Sequence, residues 1–569
     1  MQHRILFRRL FLLPALKSKT PAPTRLLIRH AQLNSQTRPQ LPFLSTPLAK
    51  NHQFRYLTTE RKRWLVYEVY LAFKYTAYFW AIVGFSVIAY WSVQQEWLER
   101  KYPTPHEWGF LTRLRFRIAK WGPDRTDWVG VETDWVVIGE YAKNVIERLE
   151  DRKIEGAGVE DLMEGGIWID GIGNSGYDIT AKSEPWRRGY YEALMLAAKA
   201  AEQLDDHVLD TTRRLVFPAS TVIGPSNPNP KPIPAGAETA PREENCERAF
   251  EEPETFYMRV LTTRGFSSRQ KMDAALAYAS WLDFKQVPEA AIRMYDWALS
   301  LASENTPPTE VPYDKGSYVL RDNAPAPSKN ILDALTALAV HKARYEDIST
   351  ALPILLSILR ARRSLPETQS KSFTTYNKTE TPSDSPWTAR NIFNAIKRLA
   401  APPAYPPPPP SGELPPIRDA QERCEEAALN LYIGEIIYAS KAREDGLAWT
   451  REAVDLAEEQ LHKLGPGPSA NEDAKKTCRE CLSSGLENWA KMAARLAREE
   501  REKEAASPAS GTWFGLWGDS KHQKHGEKEE TIGRWAAEEN VVKERTRRAQ
   551  EVLDELEAPN TPFSSVFSA

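Results

Sequence analysis

Apolar and polar positions intermix along most of this chain, but between residues 75 and 95 the sequence YTAYFWAIVGFSVIAYWSVQQ carries no charged side chain. As a helix that run extends about 31 Å at about 1.5 Å per residue, close to the hydrocarbon thickness of a bilayer. Tyr75, Tyr78, Trp80, Tyr90, Trp91 and Trp97 bracket it, as aromatic residues do at membrane interfaces. The pattern predicts one membrane span, and the absence of a second uncharged run of that length excludes multi-span transport. Residues 101–182 are rich in Trp and Gly around one predicted helix, 134–151. From Pro185 onward the apolar spacing is helical; Trp186, Tyr190, Leu194, Ala197, Ala201 and Leu204 form one stripe. Proline- and polar-rich stretches at 218–241, 305–330, 364–416 and 501–530 interrupt it and read as loops between helix pairs. The polyproline run within 402–416 reads as a stiff connector rather than as a ligand for an SH3-type groove.

Helix pairs separated by loops invite a test for repeats. A tetratricopeptide (TPR) frame needs small or apolar residues along helix A and a small-large-small series along helix B, so that two antiparallel helices approach closely and stack on the next pair. Residues 271–302 supply Ala275, Tyr278, Ala279 and Leu282, then Ala291, Tyr295 and Ala298. A second unit supplies Leu335, Leu338, Ala339 and a poorly fitting Lys342, then Ala351, Leu355 and Ile358. A third supplies Asn430, Ile433, Gly434 and Ile437, then Gly446, Thr450 and Ala453. A fourth helix A fits Leu486, Trp489, Ala490 and Ala493, its partner delayed by a long insertion, and a split pair at 185–205 and 252–263 precedes the first unit. The expected fold is therefore mainly α: a single N-terminal transmembrane helix followed by a TPR-like α-helical solenoid, residues 183–558, with long loop insertions. In this frame the concave face is lined by Leu276, Ser280 and Phe284, by Val340 and Arg344, and by Leu431, Glu435 and Tyr438. That mixture suits sequence-tolerant binding of unfolded chains better than capture of one charged terminus. Trp513, Phe514 and Trp517 in the last insertion are candidates for docking on a partner or membrane, or for folding back on the helices.

The net charge of −2 conceals an asymmetry: before Glu60 there are seven Arg, three Lys and no acidic residue. Such a leader, residues 1–59, reads as a mitochondrial presequence; a basic tail for acidic lipid or nucleic acid is the alternative. Arg61, Lys62, Arg63 and Lys74 precede the span, whereas Glu96, Glu99, Arg100 and Lys101 after it nearly cancel. By the positive-inside bias the N-terminus stays in the matrix and everything beyond the 60–100 segment enters the intermembrane space. Residues 559–569 are a short tail.

Chemistry enters little. Gly171, Gly173 and Gly176 have the spacing of a dinucleotide-binding turn, but the expected helix starts too late, with Ser183 as N-cap and Pro185 in its first turn. Metalloprotease, phosphate-loop and nucleophile-elbow motifs are absent. Cys478 and Cys481 read as two half-buried thiols facing neighbouring helices, and His522 and His525 as solvated side chains. No catalytic residue, metal site, cofactor or nucleic-acid partner is expected.

The presequence, the span and the helical domain behind it, together with SEPWRRGYYEALMLAAKAAEQ, ENCERAFEEPETFYMRVL and the helix through Ala291 and Ala298, resemble the TPR-like adaptor subunit of the fungal mitochondrial i-AAA protease. The resemblance covers most of residues 60–560 and rests on hydrophobic framework. It implies a soluble domain in the intermembrane space that binds the protease's catalytic subunit and its other adaptor, presents unfolded polypeptides to them, and has no active site. A scaffold or assembly factor for respiratory complexes, an outer-membrane receptor with the same fold, and a dinucleotide-dependent oxidoreductase using 171–176 are the competing expectations.

Overall fold

A computed structural model describes residues 59–124, 133–162, 167–169, 173–233, 238–307, 310–345, 347–367, 405–440, 442–465, 471–506 and 533–557. They divide into two compact units, residues up to 101 with 219–245, and 102–218 with 246 onward. In the first unit α1 (Thr59–Lys101) runs unbroken for 43 residues, about 65 Å. It therefore continues past the uncharged run at both ends, where an Arg100–Glu96 pair one turn apart supports the last turns. Phe73, Phe85, Tyr90 and Val93 are 70% or more exposed, and among the described residues α1 is the one helix long and apolar enough to cross a bilayer. Residues 219–245 form a loop in which the Glu243 carboxylate accepts from the Ser226 N–H at 3.2 Å and from its hydroxyl at 2.5 Å.

The second unit is mainly helical: α2 (Phe110–Asp124), α3 (Trp135–Glu150), α4 (Glu184–Leu204), α5 (Pro253–Thr262), α6 (Ser268–Phe284), α7 (Pro288–Ala302), α8 (Lys329–Arg344), α9 (Ile348–Arg363), α10 (Ala420–Ala439), α11 (Arg443–Leu464), α12 (Glu472–Ala506) and α13 (Arg534–Glu557). Local chemistry fixes many starts. Asp134, Ser183, Ser328 and Asp419 each cap the N–H three residues on, and Ser267 with Gln270 forms a capping box at α6. From α2 to α13 every helix packs on the next in the chain, and α4, α6, α8, α10 and α12 also each touch the next of that series.

The small residues lie where those crossings occur. Ala275, Ala279, Ala291, Ala298, Ala339 and Ala351 are fully buried, with Tyr278, Leu282 and Tyr295 at 7% or less. Leu332, Leu335, Leu338 and Leu355 are likewise sealed, each burial contributing about 1.5–3 kcal/mol relative to exposure. The misfit Lys342 is half-buried with its ammonium 5.3 Å from the centre of the Tyr318 ring, so its stem packs while its charge finds an aromatic face. Two apolar cores result, and α10 serves both. Leu429, Ile433 and Ile436 enter the first, which runs back to α2; Cys424, Ala427 and Leu431 enter the second, shared with α11, α12 and α13.

Two features differ from the expected pattern. Residues 207–218 are not helical: β5 (His207–Asp210) pairs with β6 (Leu215–Pro218) and with β7 (Cys246–Arg248) in an antiparallel sheet of order β6-β5-β7. Asp210, 2% exposed, closes the turn by accepting from the Thr212 N–H at 2.9 Å, and Arg214 takes φ 55° there. Cys478, read as a thiol, is instead joined to Cys424 across α10 and α12, with Cα atoms 4.9 Å apart and a sequence separation of 54. Closing a loop of that length removes unfolded-chain entropy worth about 4 kcal/mol in the chain-entropy account. Cys481 is buried outside the disulfide, and its burial pushes the thiol pKa up to about 12; Cys246 is half-buried.

Candidate functional site

The glycine run does not open a helix. Gly173 lies in β3 (Gly173–Ser175), paired with β2 (Ile167–Ile169), and the chain continues through β4 (Tyr177–Asp178), which pairs with β1 (Glu160–Asp161). Gly176 has φ 139°, and a Cβ there would stand 2.8 Å from Thr262 Oγ1. Gly173 lies on a paired strand and Gly176 is fitted closely against Thr262 of α5. The N–H groups at the start of α4 face Ser183, whose hydroxyl accepts from Trp186. Gly171 lies outside the described residues, as do Trp513, Phe514, Trp517, His522 and His525. Among the described residues no group of three His, Cys, Asp or Glu side chains is placed to hold a metal ion.

Of the residues expected on the concave face, Phe284, Ser280 and Arg344 are exposed, Phe284 by 73%, and Leu276 and Val340 are half-buried. Arg344 Nη1 lies 3.7 Å from Asp283 Oδ2, which joins the C-terminal ends of α6 and α8. Val287 adds an exposed apolar side chain just beyond α6. On α10 the frame needs correction. Leu431 is 6% exposed and belongs to the second core, because Gly485 on α12 lets that helix come close to α10 and α11. Tyr438 is half-buried with its hydroxyl 3.4 Å from the Met492 carbonyl, and exposed Glu435 accepts from Asn488. The exposed aromatic and cationic members of the expected face therefore lie on α6 and α8, and on α10 Glu435 is its exposed member.

Two polar junctions beside that face were not expected. Asp283, 1% exposed, meets His341 Nδ1 at 2.8 Å and accepts from the Tyr295 hydroxyl at 3.0 Å, so one carboxylate ties α6 to α7 and α8. Burial, then the charge of Asp283, pushes the Tyr295 hydroxyl pKa well above its ordinary value. On the other side Arg362, 4% exposed, pairs with Glu422, with Glu425 at 2.8 Å and with Asp333 at 3.3 Å; Arg269 reaches Asp333 at 2.8 Å and Lys329 reaches Glu425 at 3.1 Å. Burial opposes the Arg362 cation, but the charges of Glu425, Glu422 and Asp333 outweigh it and hold its pKa above the usual value. The network fastens α6, α8, α9 and α10. Its members alternate with core residues in sequence, so only their sequestration from water marks them out.

A third arrangement involves the polyproline run. Residues 405–414 pass the starts of α4 and α8 without helix or strand, bending at Gly412 and Leu414. Arg188, 7% exposed, donates from Nη2 to the Pro406 carbonyl at 2.6 Å and from Nη1 to the Pro407 carbonyl at 2.8 Å, and its guanidinium stacks 4.3 Å from the centre of the Tyr405 ring. Asn330, 1% exposed, donates from its side chain to the Ser411 carbonyl at 3.0 Å and from its backbone to Gly412 at 3.1 Å, while the Lys329 N–H donates to Leu414 at 3.3 Å. Gly412 has φ 70°, and a Cβ there would overlap the Asn330 amide. The run is a docked strap, not a free connector.

Compared with protein-family models, with curated proteins and with solved structures, the chain matches none.

Proposed function

We propose that the chain is a non-catalytic, membrane-anchored TPR-like adaptor. In this reading α1 spans the mitochondrial inner membrane with its N-terminus in the matrix. The helix pairs from α4 to α13 form a solenoid in the intermembrane space, which holds unfolded segments and passes them to the i-AAA protease. The observation that carries the reading is the packing order: each helix rests on its chain neighbours, alternate helices touch, and fully buried alanines occupy the crossings. A quasi-one-dimensional stack of helix pairs has those properties, and stacks of that kind act by presenting extended binding surfaces. The Cys424–Cys478 bridge supports an oxidising compartment for the domain rather than the cytosol or the matrix. The exposed Phe284, Val287 and Arg344 offer apolar and cationic contacts to an unfolded segment.

The experiment is purification of the C-terminally tagged full chain from mitochondria, with identification of what accompanies it, joined to protease protection of the tag. Copurification of an ATP-dependent inner-membrane protease, and a tag digested only after the outer membrane is ruptured, are the expected results. Respiratory-complex subunits in place of the protease would select the scaffold reading. A tag digested with the outer membrane intact would favour the receptor.

A further inference from the structure

We propose that the N-terminal ends of α4 and α8 form a binding site for an extended polypeptide, read through its main-chain carbonyls, and that residues 405–414 occupy it in cis. The contacts are unusual in what they ignore. All five hydrogen bonds that Arg188, Lys329 and Asn330 make to the strap end on backbone carbonyls, those of residues 406, 407, 411, 412 and 414. The side chains of Pro406 to Pro410 point no specificity into the site, being exposed, and so is Leu414 at 78%. The strap's identity is read at three places: Tyr405 stacks on Arg188, Glu413 accepts from Asn305, and Gly412, at φ 70° with no room for a Cβ beside the Asn330 amide, must be glycine. Another segment with glycine at that place presents the same row of carbonyls.

The donors are built for the task. Lys329 and Asn330 are the first residues of α8, so their N–H groups lack intrahelical acceptors, and Ser328 has already satisfied that of Ile331. Arg188 is held nearly buried with its planar fork aimed at two successive carbonyls, a geometry a lysine cannot reproduce. Asn330 is oriented by Arg269, which donates to its side-chain oxygen at 2.9 Å and is itself fixed by Asp333. Donors left bare and buried would be costly, so the site needs an occupant. Five consecutive prolines make the cis occupant a strong one, because their φ is preset near −65° and little entropy is lost on docking. The strap thus doubles as an internal competitor. Taking unfolded substrates as the competing ligand rests on the adaptor reading; the site itself does not.

The test uses the full chain in detergent and a fluorescein-labelled peptide of residues 405–414. Loosening the cis strap by Pro406→Gly, Pro407→Ser, Pro408→Gly, Pro409→Ser and Pro410→Gly should tighten binding of the peptide in trans by about tenfold or more, since a tethered competitor acts at an effective concentration near millimolar. Adding Arg188→Met, which keeps the aliphatic stem but removes the fork, should cancel that gain, with circular dichroism confirming that the helices persist. Equal peptide binding by the wild-type and loosened chains, or none by either at about 1 mM peptide, overturns the proposal and leaves the strap as a helix cap. A permanently unfolded, carboxymethylated protein is titrated in parallel. If the loosened chain binds the peptide but not that protein, the site stands and the adaptor reading fails.

Discussion

Gly434 on α10 and Gly446 on α11 occupy each other's side-chain space. A Cβ on Gly434 would stand 2.9 Å from the Gly446 carbonyl oxygen, and one on Gly446 would stand 2.7 Å from that of Gly434. Thr450, whose hydroxyl donates to the Gly446 carbonyl at 3.0 Å, fills the remaining space. Backbone meets backbone here, so no flexible side chain can yield.

Alanine in place of helical glycine ordinarily stabilises by about 1 kcal/mol. At Gly434 or Gly446 the sign should reverse: Gly434→Ala lowers stability, and Gly434→Leu costs about 1–3 kcal/mol or more by overpacking, as does Ala291→Trp at the α6–α7 crossing. Gly485→Ala is the milder control, because its Cβ would meet a side-chain methyl of Val454 at 2.8 Å. Thermal melts of the four variants check the order, and a Gly434→Ala protein as stable as wild type would count against the close crossing.

The disulfide gives a thiol count. In denaturant without reductant, two of the four cysteines should react with a thiol reagent, and all four after reduction. In the native protein Cys481 should not react, since burial both covers its sulfur and disfavours the thiolate at neutral pH. Replacing Cys424 and Cys478 together by alanine should lower stability by about 4 kcal/mol.

Arg362 stands among three carboxylates with little water to replace it. Arg362→Ala should therefore cost about 3–5 kcal/mol, the usual consequence of stranding buried charge, while Arg362→Met combined with Glu422→Met should recover much of the loss. Denaturant melts of the single and double variants decide it. A single variant as stable as the double would mean that water reaches the site.

Much of this was readable where the chemistry is local. Asp134 and Asp151 bound the helix between them because capping needs only residues a few positions away, and Ser183 before Pro185 marked the start of α4 for the same reason. The small residues of α6 to α11 were readable because close helix packing leaves a periodic trace. What escaped depends on neighbours distant in sequence. The sheet β6-β5-β7 gains its third strand from beyond a proline-rich loop. Cys424 and Cys478 meet only once α12 lies along α10, and the same approach buries Leu431. Likewise the polyproline run carries no sign that Arg188, more than two hundred residues earlier, would receive its carbonyls.

The last prediction concerns the exposed end of α6 and α8. Phe284 presents a ring that is 73% exposed with no core role, and Arg344 reaches Asp283 only at 3.7 Å, so either can change without disturbing the buried Asp283–His341 contact. An unfolded segment binding here would bury that ring and meet the guanidinium, and both contacts reverse sign for a carboxylate. Phe284→Glu with Arg344→Glu should thus weaken capture of a carboxymethylated protein about tenfold, the scale set by about 1.4 kcal/mol of lost contact. Stability should fall by about 1 kcal/mol at most from Phe284→Glu, and somewhat more once Arg344→Glu replaces the 3.7 Å ion pair with Asp283 by a like charge, so the single variants are melted alongside the double. The expected face also included Tyr438, but Tyr438→Glu would drive a charge against α12 and confuse binding with folding. Unchanged capture by the double variant while it stays folded would remove the α6–α8 face from the binding surface and leave the site beneath the polyproline strap as the place where extended chains are held.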